Sequence, residues 1–140
     1  MSELKVRTRE TGATAVMAAG QTPVITTPTG GTVDIVIGVS QPGFNPLDLL
    51  YSSVAACMAL SLRIAATKMG VGDKLGNVTV KVTGTKAVEG PSRVAQFDSV
   101  FHIEGDLDEA TKHHLIEMAE TICTVSNTLR GDPVFENQLA

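Results

Sequence analysis

Two thiols, Cys57 and Cys123, are the residues in this chain best equipped for chemistry. A cysteine thiolate is both a nucleophile and a metal ligand, so a pair of them raises thiol–disulfide exchange and metal binding. The bland alternative is two inert buried thiols, since free cysteine packs as a small hydrophobe. The two lie far apart in the sequence with no CxxC between them, which excludes a dithiol of the thioredoxin type. Zinc would need about four ligands. His113 and His114 are the other candidates, but adjacent histidines on a helix point about 100° apart, so no metal site is expected. The chain has no GxSxG and no GxxxxGK[ST], and Gly30-Gly31 reads only as a turn. Serine hydrolysis and nucleotide chemistry are therefore unsupported.

Cys57 falls in the middle of a long apolar segment, with Ser53 one helical turn before it and Ser61 one turn after. Residues at that spacing share a helical face, so the three form a narrow polar strip on a greasy rod. Two readings of the strip stand. Small residues allow close helix packing while each hydroxyl bonds back to a carbonyl of the preceding turn; or the strip lines a pocket where a thiol meets a substrate.

The elements that must position these residues follow from turn signals and periodicity. Asn45 is an N-cap, Pro46 takes the first helical position, and Asp48 can reach back to the cap. The helix is expected to run to about Met69, to stop at Gly70, and to be buried on every side because it is apolar nearly all round. A chain of 140 residues has little material with which to wrap such a helix, which points to burial by a second copy. Asp48, Ser52, Ser53, Ser61, Arg63 and Lys68 argue against a membrane span. Before this helix, the region Leu4 to Val39 reads as strands broken by glycines and Pro28, with Val33, Ile35, Ile37 and Val39 alternating along one of them. Lys5, Arg7 and Arg9 share a parity and read as a solvated strand face. After the helix, Val78, Val80 and Val82, then Phe97, Phe101 and Ile103, mark two half-buried strands, with His102 on the wetter face. A second helix opens at Asp106-Leu107-Asp108-Glu109 and reaches Cys123. A short helix runs from Thr124 to Arg130, and a last strand is expected over Val134 to Leu139. The order β-β-β-α-β-β-α-α-β indicates one α+β domain over residues 1–140 rather than alternating α/β.

Composition narrows the function classes. Fifteen acids against eleven bases give a formal charge of −4, and there is no basic stripe, so a nucleic-acid partner is not expected. The stretch Met1 to Arg9 lacks the apolar core of a secretory signal, and a cytoplasmic location is expected, where cysteines seldom serve as structural staples.

Two segments carry a family resemblance. Asn45-Pro46-Leu47-Asp48-Leu49-Leu50, followed by Val54-Ala55-Ala56-Cys57-Met58-Ala59-Leu60, resembles the NPEELL…AACxxM helix of the OsmC/Ohr family (osmotically inducible protein C and organic hydroperoxide resistance protein). Cys123-Thr124-Val125-Ser126-Asn127-Thr128-Leu129 resembles its second signature, CPVSxxL. The resemblance implies an OsmC-like α+β fold in which antiparallel sheets wrap two long central helices of an intertwined homodimer. It implies a thiol-dependent reductase of organic hydroperoxides, extending to hydrogen peroxide, with no cofactor. In that reading Cys57 attacks the O–O bond, Cys123 resolves the product as a disulfide, and a small dithiol of lipoyl type restores the pair. Asp48, Ser53, Arg7 and Arg9 are candidate accessory residues. The chain departs from the family pattern at three places: Leu47 stands for the helix-start Glu, Thr14 or Ile37 for its Arg partner, and Thr124 for the proline after the second cysteine. Those departures favour the alternative of a non-catalytic dimer that holds a small apolar ligand on the same scaffold. A structural dimer with relic thiols is the third reading.

Overall fold

A computed structural model describes residues 10–140. The chain divides into two compact units, Met1–Leu49 and Leu50–Ala140. Arg7 and Arg9, with Lys5, lie outside the described residues.

The first unit carries a three-stranded antiparallel sheet of β1 (Thr14–Val16), β2 (Val24–Thr26) and β3 (Thr32–Asp34), in that order. Ile25 is opposite both Ala15 and Val33, which fixes the register. Gly30 turns the β2–β3 connection with φ +96°, in the region that only glycine enters freely. The strand expected to continue to Val39 stops earlier. Ile35 keeps one bridge to Phe44, and a turn then closes from Gln41 N–H onto the Gly38 carbonyl. Ile37 and Val39 are consequently exposed, at 74% and 101%. Alternation alone could not carry a strand through Gly38 and Pro42.

Helix α1 spans Pro46–Lys68. Its start is a reciprocal cap: Asp48 N–H donates to Asn45 Oδ1 at 2.8 Å, and Asn45 N–H donates to an Asp48 carboxylate oxygen at 2.9 Å. Its end is a Schellman motif. Gly70 adopts φ +72°, its N–H reaches the Thr67 carbonyl, and Val71 N–H reaches that of Ala66. The helix is long and apolar enough to cross a membrane by length and composition. One face is instead committed to the core: Val54, Met58, Ser61, Leu62, Ala65 and Ala66 are buried. The expectation of burial on every side is not met within the described chain, because Leu60 and Ile64 on the opposite face are 56% and 46% exposed.

The rest of the second unit supplies the other side of that core. After a 3₁₀ turn (Gly72–Lys74), β4 (Leu75–Lys86) and β5 (Val94–Gly105) form a long antiparallel hairpin. Val78 lies opposite Ile103 and Val80 opposite Phe101, so the inward parity of both strands stacks on one face. His102 stands on the other face, 3.6 Å from Glu104. Helix α2 (Glu109–Ile122) buries Leu115 and Ala119 on the same core, with Cys123 one turn on. Its N-cap is Asp108, whose carboxylate accepts Thr111 N–H at 2.8 Å; the helix thus begins later than an Asp106 cap would place it. Helix α3 (Thr124–Arg130) follows directly.

The final strand expected over Val134 to Leu139 does not form. The segment after Arg130 has no strand pairing, and Val134, Phe135 and Leu139 are exposed at 86%, 86% and 101%. A strand is defined by a partner edge, which a run of alternating residues does not supply.

Candidate active site

Cys57 comes from the middle of α1 and Cys123 from the junction of α2 and α3. Met58 beside the first and Ala119 one turn before the second belong to one apolar core, which Cys57 joins as a partly buried member. Both thiols belong to that core, Cys123 as a buried member and Cys57 packed against it, and Cys57 is among the groups that lower the Cys123 thiol. Both are free thiols. They are not equally accessible. Cys57 is half-buried, whereas Cys123 has no exposed surface.

The backbone explains why Cys123 occupies so polar a niche inside an apolar core. It ends α2 and caps α3, with φ −63° and ψ 106°, so its sulfur faces the first N–H groups of α3. Ser126 N–H donates to that sulfur at 3.4 Å. The Ser126 hydroxyl lies 3.7 Å from Met58 Sδ and also reaches Cys123; its single proton serves one sulfur at a time. Burial pushes the Cys123 thiol up, but hydrogen bonds from the Ser126 hydroxyl and from the Ser126 and Val125 N–H groups, with a contribution from Cys57, outweigh it and hold the thiol below its ordinary value. Among the described residues, no cation contributes to that shift. Among the described arginines, Arg130 pairs with Glu120 at 2.7 Å, Arg93 braces the hairpin loop through the Glu89 and Pro91 carbonyls, and Arg63 is exposed.

The remaining candidates have local roles. Ser53 donates back to the Leu50 carbonyl at 2.7 Å, and Ser61 is buried on the core face of α1. Asp48 forms the cap already described. Leu47 is half-buried in the first turn of α1, Thr14 is exposed on β1, and Ile37 is exposed in the loop after β3. His113 and His114 are both exposed on α2, and no cluster among the described residues could hold a metal. A hollow of about 320 Å³ is lined by Val54, Met58, Phe97, Ser126 and Leu129 and edged by Glu120 and Arg130; neither cysteine lines it. Ser126 is the residue that sequence reasoning passed over. Its signal was a cysteine at a helix boundary with a serine three positions on, the spacing at which a capping atom meets a backbone N–H.

The family described as OsmC-like protein matches residues 38–137, a span that includes both cysteines and every element from α1 to α3. The chain belongs to the OsmC-like protein family. Its α+β architecture with antiparallel sheets is that of solved OsmC and Ohr structures. An OsmC-like protein from Mycoplasma pneumoniae matches with TM-score 0.76 at 20% identity, over 88% of this chain and 89% of that one. The organic hydroperoxide resistance protein OhrB of Bacillus subtilis matches with TM-score 0.67 at 22% identity, over 87% and 93%. An organic hydroperoxide resistance protein from Elizabethkingia anophelis matches with TM-score 0.65 at 24% identity, over 91% and 93%. At such identities the likeness establishes the OsmC-like fold. No curated protein sequence matches the chain.

Proposed function

We propose that this OsmC-like protein is a thiol-dependent reductase of organic hydroperoxides, with Cys57 as the attacking thiol and Cys123 as the resolving one. The observation that carries this reading is that two free thiols from separate helices pack on one apolar core. The half-buried thiol is the one a peroxide can reach, and the fully buried thiol is placed to meet its oxidised product. The Cys57 sulfur bonds to the distal peroxide oxygen as the O–O bond breaks, giving a sulfenic acid and an alcohol. The Cys123 sulfur then displaces the sulfenic oxygen as water, forming a disulfide. An external dithiol reduces that disulfide by exchange and is itself oxidised. The apolar surroundings suit a lipoyl-type dithiol, and a reducing cytoplasm suits the resting free thiols. The apolar exposed face of α1, at Leu60 and Ile64, supports a homodimer.

The test is rapid mixing of the reduced protein with cumene hydroperoxide, following peroxide loss and the mass of the product. The expected outcome is consumption well above that of a free thiol, with one Cys57–Cys123 disulfide formed per peroxide. Cys57→Ser is expected to lose the reaction, and Cys123→Ser to stop at the sulfenic acid. Consumption no faster than a free thiol's would reject the activity and leave the ligand-binding reading.

A further inference from the structure

One nucleophilic sulfur in the core takes no part in the thiol reaction. Met58 lies in the middle of α1, and its thioether keeps its lone pairs at every ordinary pH, so it needs no base before it reacts. Its oxidative chemistry is to accept one oxygen atom and become a sulfoxide. Exposure alone would make it the most protected of the described methionines: it is 3% exposed, Met69 and Met118 are half-buried, and Met17 is 68% exposed. Two observations set it apart. Met58 forms part of the wall of the hollow of about 320 Å³, together with Val54, Phe97 and Leu129. Ser126 lines the same hollow, and its hydroxyl donates to Met58 Sδ at 3.7 Å, so a proton donor stands beside the sulfur.

We infer that Met58 is a second oxygen-accepting site, oxidised to its sulfoxide by an organic hydroperoxide that enters this hollow, with the Ser126 hydroxyl as proton carrier. The oxidant class is the one named for the thiol pair, and the inference rests on that reading for nothing else: neither cysteine lines the hollow or enters the step. An apolar peroxide body suits the walls of Val54, Phe97 and Leu129, while the sulfur and the hydroxyl give its O–O group two polar partners. The charged residues at the edge, Glu120 and Arg130, neutralise each other at 2.7 Å, which suits an uncharged occupant. In the step, a Met58 lone pair bonds to the distal peroxide oxygen as the O–O bond breaks. The Ser126 hydroxyl turns from the sulfur and gives its proton to the departing alkoxide, which leaves as alcohol. Ser126 then regains a proton from the transferred oxygen. Met58 is oxidised by two electrons, the hydroperoxide is reduced to alcohol, and the hydroxyl is restored. A sulfoxide oxygen accepts hydrogen bonds better than a thioether does, so the same hydroxyl is placed to satisfy the product.

The test reads oxygen transfer at each methionine. Reduced parent is incubated with excess cumene hydroperoxide, and sulfoxide at Met17, Met58, Met69 and Met118 is quantified by peptide mass over time, with disulfide read in the same samples. Met58 is expected to be oxidised ahead of Met69 and Met118 despite its deeper burial. With hydrogen peroxide, which has no apolar body, the order is expected to follow exposure. Leu129→Trp, at a lining position already 41% exposed, fills the hollow from its edge. It is expected to slow Met58 oxidation at least about 10-fold, as exclusion from an apolar pocket does, with Met17 unchanged. Ser126→Ala keeps the hollow and removes the proton carrier. It is expected to slow Met58 by about 10²-fold, the lower end of general acid–base contributions. Met58 oxidised last by cumene hydroperoxide, in order of exposure, would overturn the inference. A Met58 rate unchanged in Leu129→Trp would overturn entry through the hollow, and one unchanged in Ser126→Ala would overturn the part given to the hydroxyl. Disulfide formed without Met58 sulfoxide would sink this inference and spare the proposed function; sulfoxide formed without disulfide would do the reverse.

Discussion

Ser126 N–H points at the Cys123 sulfur from 3.4 Å, across the boundary where α2 ends and α3 begins. A sulfur is a weak acceptor while protonated and a good one as a thiolate, so this contact is worth more once Cys123 has lost its proton. The side chain of Ser126 adds a second donor to the same atom.

Ser126→Ala therefore deletes the hydroxyl and keeps the backbone bond. The Cys123 thiol is expected to rise toward its ordinary value, read from thiolate absorbance as the reduced protein is titrated. The linkage has a definite sign. Because the folded-state value is depressed, the thiolate's contribution to stability is complete above the unfolded value and is lost as pH falls through the folded one. The urea midpoint of the reduced parent should climb from neutral pH toward the alkaline range, and the climb should be smaller in Ser126→Ala. An unchanged titration would mean that the hydroxyl serves Met58 alone.

Gly84 gives a second prediction, through a close approach rather than a special backbone angle. It stands opposite Phe97 in the β4–β5 register, and Tyr51 from α1 packs edge-on against Phe97, with ring centroids 6.0 Å apart. A Cβ at Gly84 would lie 2.6 Å from the Tyr51 hydroxyl oxygen and 2.7 Å from its ring. Gly84→Ala is expected to cost about 1–3 kcal/mol, as overpacking does. In a Tyr51→Ala background the same change should cost clearly less, because the two closest contacts are gone and only Val94 Cγ1, at 2.9 Å, has to shift. Chemical denaturation of the four proteins checks this, and additive effects would contradict it.

Features of this fold set by neighbours in sequence are legible in the chain, and those set by distant partners are not. The ends of α1 were readable because the information is local: Asn45, Pro46 and Asp48 make a cap among themselves, and Gly70 supplies the positive φ that stops the helix. The hairpin was readable because Val78, Val80 and Val82 keep an unbroken alternation against Phe97, Phe101 and Ile103. Ile37, Val39 and Val134 alternate or cluster equally well, yet they form no strand, since pairing depends on an edge elsewhere in space. The two cysteines could be singled out by type and assigned to different helices. Their meeting on one core and the part played by Ser126 arise from the way α2 hands over to α3, which no periodicity encodes.

Asp108 offers an acid-side prediction. Its carboxyl is held below the ordinary carboxylate value first by the hydrogen bonds from the Thr111 side chain and N–H, with a smaller contribution from His114. Stability from this group is present above its unfolded value and is lost as pH falls through the folded one, below about pH 4. Asp108→Asn retains a capping oxygen but no charge. Its thermal midpoint should lie below the parent's at neutral pH, and the two should converge in acid. A gap that persists undiminished in acid would show that the charge is not what the cap uses.

Ala119 tests whether the thiol pair depends on how closely the core is packed. It is fully buried on α2, one turn before Cys123, and shares its core with Ala65 and Ala66 of α1, which are fully buried as well. Three alanines at the centre of a core leave room for backbones rather than side chains, and interiors packed at crystal-like density have no slack to absorb a larger group. Ala119→Leu is expected to cost about 1–3 kcal/mol in urea unfolding. It should also displace α2 from α1, move Cys57 away from Cys123, and so weaken the contribution Cys57 makes to holding the Cys123 thiol down. The thiolate absorbance should then shift to higher pH in the folded variant. A variant that loses stability while its thiol titrates as before would show that the sulfur contact is set by the α2–α3 junction and Ser126, independently of the helix spacing beneath it.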